Sequence, residues 1–550
     1  MTREFASTLE PATSLLNETG SWRTERPVFV DRLPPCNHAC PAGENCQAWL
    51  YRAEEGDYHG AWEQIMVDNP LPAVMGRACY HPCETECNRA QVDEAVGIHA
   101  IERFLGDLAI RQGWNISLDR TESGRRVLVV GSGPSGLSAA YHLRRLGHSV
   151  TVMEAGPVAG GMMRFGIPKY RLPREVLDAE VRRLTALGIE IQTDAKVNDV
   201  VETMGEGGYD ACFVAIGAHL AKRVDIPAPD AGKILDALGL LRQIETGSGG
   251  RNGEAPEGLH VGRRIVVYGG GNTAIDAARS ARRLGSEAVI VYRRTRDRAP
   301  AHDFEIQEAL EEGVQIHWLS TIKSMDEGQL TIEKMRLNTE GWPEPTGELE
   351  TIPGDALILA LGQDVDTSIL GRIPDVTLRK DGIVEVDRNM MTGHPGIFAG
   401  GDMVPAERTI TVAVGHGKKA AHCIDAYLNG TQHRPSPKHE LADFSLLNTW
   451  YYNDADRTVQ PVLGEIRRRT TFEEVVGGLD ESTALFEARR CLSCGNCFEC
   501  DNCFGVCPDN AIIKLGPGRR FEVNYDFCKG CGMCAEECPC GAIEMVPEAI

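Results

Sequence analysis

Positive charge, long apolar runs and mid-chain cysteine are all scarce in this sequence of 550 residues. The 57 lysines and arginines are outnumbered by 79 aspartates and glutamates, for a net charge of -22. That balance argues against nucleic acid or an anionic membrane as partner. No apolar run approaches the roughly 18–20 residues of a spanning helix. The opening stretch, MTREFASTLEPATS, has no apolar core that would serve as a signal peptide. These absences predict a cytoplasmic protein without a membrane span. Between residues 88 and 490 only Cys212 and Cys423 occur, and both read as buried small-apolar filler.

Cysteine is instead crowded at the two ends. Of 19 in all, six lie between Cys36 and Cys87 and eleven between Cys491 and Cys540. In a reducing compartment such density signals metal or redox chemistry rather than disulphides. The chain is also too long for one core, so three or four domains are expected.

The middle repeats one kind of unit. Residues 126–131 read RVLVVG and lead through Gly131-Ser132-Gly133-Pro134-Ser135-Gly136 into a helical stretch, LSAAYHLRRLG. A second strand, SVTVME, closes at Glu154. In this strand–turn–helix–strand setting Gly131 allows the tight turn and Gly133 lets a pyrophosphate approach the backbone. Gly136 lets helix and strand pack closely, and Glu154 falls where an acid takes ribose hydroxyls. At an offset of 138 residues, RIVVYGGGNTAIDAARSARRLGSEAVIVYRR sets Gly269, Gly271 and Ala274 opposite the three glycines. Here Tyr292 replaces the acid, and Arg293-Arg294 follow. An acid repels a 2′-phosphate whereas arginine pairs with it, so the second unit reads as an NADPH site and the first as a site for a nucleotide without that phosphate, such as FAD. Solvated surface arginines are the competing reading.

The carboxyl-terminal cysteines carry a spacing of their own. Cys497, Cys500, Cys503 and Cys507-Pro508 form C-x2-C-x2-C-x3-C-P, and Cys528, Cys531, Cys534 and Cys538-Pro539 repeat it 31 residues later. This is the two-cluster ferredoxin pattern, in which the fourth cysteine serves the other cluster. One [4Fe-4S] is expected on Cys497, Cys500, Cys503 and Cys538, the other on Cys528, Cys531, Cys534 and Cys507. A zinc ribbon would need paired ligands instead. Cys491, Cys494 and Cys540 exceed this requirement; they are redundant, or Cys491 and Cys494 face another centre.

From about residue 30 to 430 the chain resembles the small subunit of bacterial glutamate synthase and the amino-terminal half of dihydropyrimidine dehydrogenase. The segments that carry the resemblance are GSGPSGLSAA (131–140), GGMMRFGIPKYRLPREVL (160–177), GGGNTAIDAAR (269–279), VYRRTRDRAPA (291–301) and GIFAGGDMVPAERTITVAVGHGKKAA (396–421). The resemblance implies an FAD site that includes Pro134, Ser135 and Gly161, with Gly401 and Asp402 at the ribityl or pyrophosphate region. It implies an NADPH site that includes Asn272 and Thr273, on a domain inserted within the FAD domain. Asp402 as a helix N-cap is the plainer alternative.

PPCNHACPAGENC (34–46) and GRACYHPCETECNRA (77–91) resemble the same family's iron–sulfur segment. The family pattern carries a further C-x-x-C upstream of the position matched to Cys36, where this chain reads VFVDRLPP. In relatives a glutamine or glutamate just downstream completes one cluster, and Glu102 matches it. The resemblance thus implies a cluster on Cys40, Cys79, Cys83 and Glu102, with Cys36, Cys87 and Cys46 available for another. Zinc held by cysteines with His38 or His81 is the alternative, as is Glu102 as a surface glutamate.

The expected fold class is α/β, with two Rossmann-like domains, an α-helical amino-terminal iron–sulfur domain and an α+β bacterial-type ferredoxin domain. Expected boundaries are 1–120 for the helical domain, 121–230 and 366–432 for the FAD domain and 231–365 for the NADPH domain. Residues 433–490 are expected as a linker with a short helical docking segment, and 491–550 as the ferredoxin domain. The seven tryptophans read as packing. The function expected is an NAD(P)H:acceptor oxidoreductase acting as an electron-transfer subunit. Its partner would be a redox enzyme similar to 2-oxoacid:acceptor oxidoreductases, or a soluble ferredoxin. A glutamate synthase small subunit and a non-catalytic electron-wiring module are the alternatives.

Overall fold

A computed structural model describes residues 18–118, 121–228, 233–247, 259 and 261–548. Among the described residues no helix is long and apolar enough to cross a membrane. Two five-stranded parallel sheets organise the middle of the chain. The first has the order Ile397–Ala399, Ala211–Val214, Arg126–Val130, Ser149–Met153, Glu190–Gln192. Its central strands are apolar almost throughout, as a sheet covered on both faces requires. Helix Ile410–Leu428 packs along helix Pro134–Arg145, and a Cβ at Gly417 would stand 2.3 Å from the Ser135 carbonyl oxygen. Only glycine permits that approach.

The second sheet has the order Gln315–His317, Glu287–Val291, Arg264–Tyr268, Ala356–Leu359, Lys233–Asp236. An antiparallel three-stranded sheet, Ser320–Asp326, Gln329–Leu337 and Pro343–Pro353, packs against it through Ile322, Leu330, Ile332 and Leu357. This unit lies between the strands Leu220–Ala221 and Gln363–Asp364, which pair antiparallel as a two-stranded neck. The chain then returns to the first sheet at Ile397–Ala399, so the second unit interrupts the first.

The amino-terminal region is helical from Pro35 to Gln112, around a core of Trp49, Leu50, Ile65, Ile101 and Leu105. It does not stand alone. Strand Glu25–Phe29, expected within the helical domain, pairs antiparallel with Ile543–Pro547 at the other end of the chain. Arg23 supports this closure by donating to the Tyr525 and Cys528 carbonyls at 2.6 and 2.9 Å. Residues 433–490 are less a linker than a strap. Phe472 and Val475 bury with Tyr170 in the core of the second unit, and helix Glu481–Ala488 packs on helices Cys46–Glu54 and Ile98–Gln112. Trp49 and Trp62 are fully buried, but Trp450 is 85% exposed and Trp22 70%, so packing does not account for all seven tryptophans.

Candidate functional site

Each position of the first glycine turn has its own geometry. Gly131 sits at φ 100°, and a Cβ there would lie 2.5 Å from the Ala215 carbonyl oxygen. Gly136 tolerates none either, because its Cβ would fall 1.9 Å from the Gly131 oxygen. At Gly133, the residue that starts helix Pro134–Arg145, a Cβ would meet nothing within 4 Å. That open space belongs to a cavity of about 1150 Å³. Gly131, Gly133, Pro134, Ser135, Glu154, Gly161, Gly401 and Asp402 all line it. Glu154 accepts from the Ser132 N–H and hydroxyl at 2.9 and 2.6 Å, which holds its carboxylate beside the turn. Asp402 lies in the short helix Gly401–Met403 and caps nothing; burial raises its carboxyl. The cap of helix Ile410–Leu428 is Thr409, whose hydroxyl accepts from the Val412 N–H.

The second turn repeats the first. Gly269 has φ 152° and closes on the Ala360 oxygen, a Cβ at Gly271 would meet nothing within 4 Å, and Ala274 is fully buried. Asn272 and Thr273 reach the cavity, and the Asn272 amide donates to the Tyr80 hydroxyl at 2.6 Å. Tyr292, in the place of the acid, packs edge-on against Trp318. Arg293 is exposed, while the Arg294 guanidinium lies 5.2 Å from the Trp342 ring centre, its Nε buried without a hydrogen-bond partner among the described residues. Neither arginine lines the cavity; both follow strand Glu287–Val291.

The third wall of the cavity is the helical region, through Pro41, Ala78, Tyr80, Pro82 and Thr85. Behind that wall the cysteines gather. The Cys79 thiol is pushed up by burial and by the charges of Glu102 and Cys83, and it accepts from the Thr411 hydroxyl at 3.0 Å. Glu102 is 6% exposed, not a surface residue; burial raises its carboxyl, as do the neighbouring Glu44, Cys83 and Cys40. Asn69 donates to it at 2.8 Å. Buried Cys46 stands against Cys36, Cys40 and Cys83. His38 is exposed, and the His81 ring stacks on His99 with centroids 3.9 Å apart. His99 in turn meets Glu84 at 2.7 Å, so His81 is engaged in a histidine–carboxylate group of its own.

At the carboxyl end, burial raises the Cys503 thiol, reinforced by Cys497, Cys500 and Cys538. Cys534 is raised in the same way beside Cys507, Cys528 and Cys531. The two crossed sets are thus each brought together. The repeat extends to backbone detail, with the Ala511 N–H donating to Cys507 Sγ at 3.2 Å and the Ala542 N–H to Cys538 Sγ at 3.3 Å. Cys540 Sγ lies 3.7 Å from Cys538 Sγ. Buried thiols that repel one another as thiolates suit a cationic iron–sulfur centre, which neutralises them.

A model of the pyridine nucleotide-disulphide oxidoreductases matches residues 116–417. The chain belongs to that family. Dihydropyrimidine dehydrogenase domain II, a 4Fe-4S cluster domain, matches residues 24–114, and a 4Fe-4S binding domain matches residues 521–544. The NADP(+)-dependent formate dehydrogenase subunit beta of Moorella thermoacetica is 34% identical, covering 84% of this chain and 70% of that one. The NADPH-Fe(3+) oxidoreductase subunit beta of Geobacter sulfurreducens is 32% identical over 85% and 76% of the two chains. The glutamate synthase [NADPH] small chain of Escherichia coli is 31% identical over 72% and 89%. The putative oxidoreductase YgfK of the same species is 32% identical over 94% of this chain, which spans 50% of YgfK.

The chain is therefore an NAD(P)H-dependent oxidoreductase whose cofactors are FAD, NADPH and [4Fe-4S] clusters. Within the segment matched to the pyridine nucleotide-disulphide oxidoreductases the only cysteine is Cys212, buried in strand Ala211–Val214. A redox disulphide has no second thiol there; the helical wall instead brings Pro41, Ala78 and Tyr80, which flank Cys40 and Cys79, to the cavity. Glu44 and Thr411 escaped the sequence reading. Glu44 is a lone acid between Cys40 and Cys46, and Thr411 lies 332 residues from Cys79.

Proposed function

We propose that this chain is the electron-transfer subunit of a larger assembly, moving electrons between NADPH and a partner redox protein. The observation that carries this reading is the cavity itself, with nucleotide turns on two sides and a cysteine-bearing wall on the third. Bound FAD supplies the conversion between two-electron hydride exchange and single-electron transfer. The chain's own residues bind and orient. The Gly131–Gly136 turn and the N-terminus of its helix receive the FAD pyrophosphate, Glu154 takes ribose hydroxyls, and Gly161, Gly401 and Asp402 border the rest. Gly269, Gly271, Asn272, Thr273 and Ala274 do the same for NADPH, with Arg293 and Arg294 pairing its 2′-phosphate. Tyr80, Pro82 and Ala78 exclude water between the cavity and the cluster on Cys40, Cys79, Cys83 and Glu102.

The ferredoxin sets, Cys497, Cys500, Cys503 and Cys538, and Cys528, Cys531, Cys534 and Cys507, form the outlet. Cys500 and Cys531 are exposed there, where a partner would approach. No nucleophile or acid–base pair is needed for this work. The partner is a redox enzyme similar to 2-oxoacid:acceptor oxidoreductases, or a soluble ferredoxin, in the cytoplasm. Adding NADPH anaerobically tests the reading: the flavin should bleach and the cluster absorbance should fall with it. A flavin that stays oxidised would leave only an electron-wiring module.

A further inference from the structure

We propose that Cys36, Cys87, Cys491 and Cys494 hold a further [4Fe-4S] cluster, with ligands drawn from both ends of the chain. The proposal rests on the electron-transfer reading above and adds a site to it. The two ferredoxin sets use eight cysteines and leave three over: Cys540, which stays against Cys538, and Cys491 and Cys494. These last two pack against the helical region. Burial raises the Cys491 thiol, as do the charges of Glu54, Cys494 and Cys36. Cys494 is raised likewise, with Cys36 and Cys87 acting on it, and Cys36 also acts on Cys87. Cys36, Cys87 and Cys491 pack against one helical core, and the amide of Asn88, the residue after Cys87, reaches Cys494 Sγ, so the four thiols converge.

The surroundings fix them there. Helix Glu481–Ala488, capped by Asp480, buries Ala484 and Ala488 in the same core as Trp49 and Ile101 and delivers Cys491 at its end. Arg490 is 2% exposed and donates to Glu94 O at 2.6 Å and to Asp93 at 3.0 Å, which pins the segment to the loop after Cys87. Gln47 donates to Ser493 at 3.4 Å, and Asn88 donates to Cys494 Sγ at 3.5 Å. The C-x-x-C absent upstream of Cys36 is therefore replaced in space by Cys491-x-x-Cys494. The place is also intermediate. Cys36 shares Cys46 as neighbour with Cys40 and Cys83, and Tyr452, bonded to Leu492 O at 3.0 Å, feels Cys491 and Cys494 together with Cys500 and Cys540. A cluster here links the group behind the cavity wall to the ferredoxin.

Anaerobically purified full-length protein should contain about 16 irons per chain, four for each cluster. The Cys491→Ala/Cys494→Ala double variant should contain about 12, with FAD retained and one component missing from the EPR spectrum of the reduced protein. Cys46→Ala should keep about 16. Should the double variant lose its FAD as well, Cys494→Ser decides: an oxygen ligand should alter one EPR component and leave the others. Wild-type protein with about 12 irons, zinc in place of iron, full iron in the double variant, or an unaltered Cys494→Ser spectrum would each overturn the proposal. Flavin bleaching by NADPH is scored separately in wild type, so loss of the electron-transfer reading is distinguishable from loss of this site.

Discussion

The Thr411 hydroxyl donates to Cys79 Sγ at 3.0 Å, across the boundary between the helix that borders the cavity and the wall that carries the cysteines. A hydrogen bond to a cluster sulfur favours the reduced, more negative state, and removing it lowers the potential. Thr411→Val keeps the shape and deletes the donor. The potential of one cluster should fall by an amount on the order of tens of millivolts, the equivalent of one net hydrogen bond. Redox titration followed by EPR measures this, and the rate of flavin reduction by NADPH should not change. A uniform shift of all clusters would contradict the local role.

Gly133 and Gly136 stand three residues apart and should fail in different ways. A Cβ at Gly136 collides with the Gly131 oxygen, so Gly136→Ala should destabilise the protein even without cofactor. Gly133 has φ -70° and open space around its missing Cβ, so Gly133→Val should fold and yet exclude the pyrophosphate. FAD content after purification and the melting of cofactor-free protein separate the two. Gly133→Val should lose FAD with the apo melting temperature unchanged, and Gly136→Ala should lower both.

Such positions were legible in the sequence because the constraint is local. A glycine turn between an apolar strand and a helix needs these residues at these steps, and a C-x2-C-x2-C-x3-C-P run fits few other uses. What escaped was set by long-range packing. Strand Glu25–Phe29 has no signal of its own, because its partner Ile543–Pro547 lies at the far end of the chain. Phe472 and Val475 looked like linker residues, and only the second unit's core around Tyr170 explains them. Spacing already marked Cys491 and Cys494 as surplus to the ferredoxin, but not that they stand near Cys36, since spacing reports neighbours in sequence and not in space.

Cofactor preference tests the second turn. Arg294 is held against Trp342, and Arg293 is exposed. Two charge-assisted contacts to a 2′-phosphate are worth roughly 1.5–3 kcal/mol each. Arg293→Ala/Arg294→Ala should therefore reduce the ratio of kcat/KM for NADPH over NADH by about 100-fold to 10,000-fold. Nearly all of the change should lie in the NADPH values. An unchanged ratio would return both arginines to the solvated surface.

The second unit also carries its own acid-sensitive lock. Glu312, its side chain 1% exposed, accepts from Arg279 at 2.7 Å and from Arg283 at 2.7 Å. Burial alone would raise its carboxyl, but the hydrogen bonds of Arg283 and Arg279 prevail and hold it down to about 2. A carboxyl with a folded-state value below its unfolded value of about 4.3 stabilises the fold above that value, and the contribution fades as pH falls towards 2. Glu312→Gln leaves the two buried guanidiniums without their shared carboxylate, at a cost of about 3–5 kcal/mol. Unfolding of a chain with several domains is not two-state, so the effect belongs to the second unit and is read locally. At neutral pH, hydrogen exchange in strands Arg264–Tyr268 and Glu287–Val291 should accelerate in the variant while Arg126–Val130 stays protected. Under pepsin, the excess cleavage of the variant over wild type should shrink as pH is lowered from about 5 to about 2, because protonated wild-type Glu312 then resembles the glutamine.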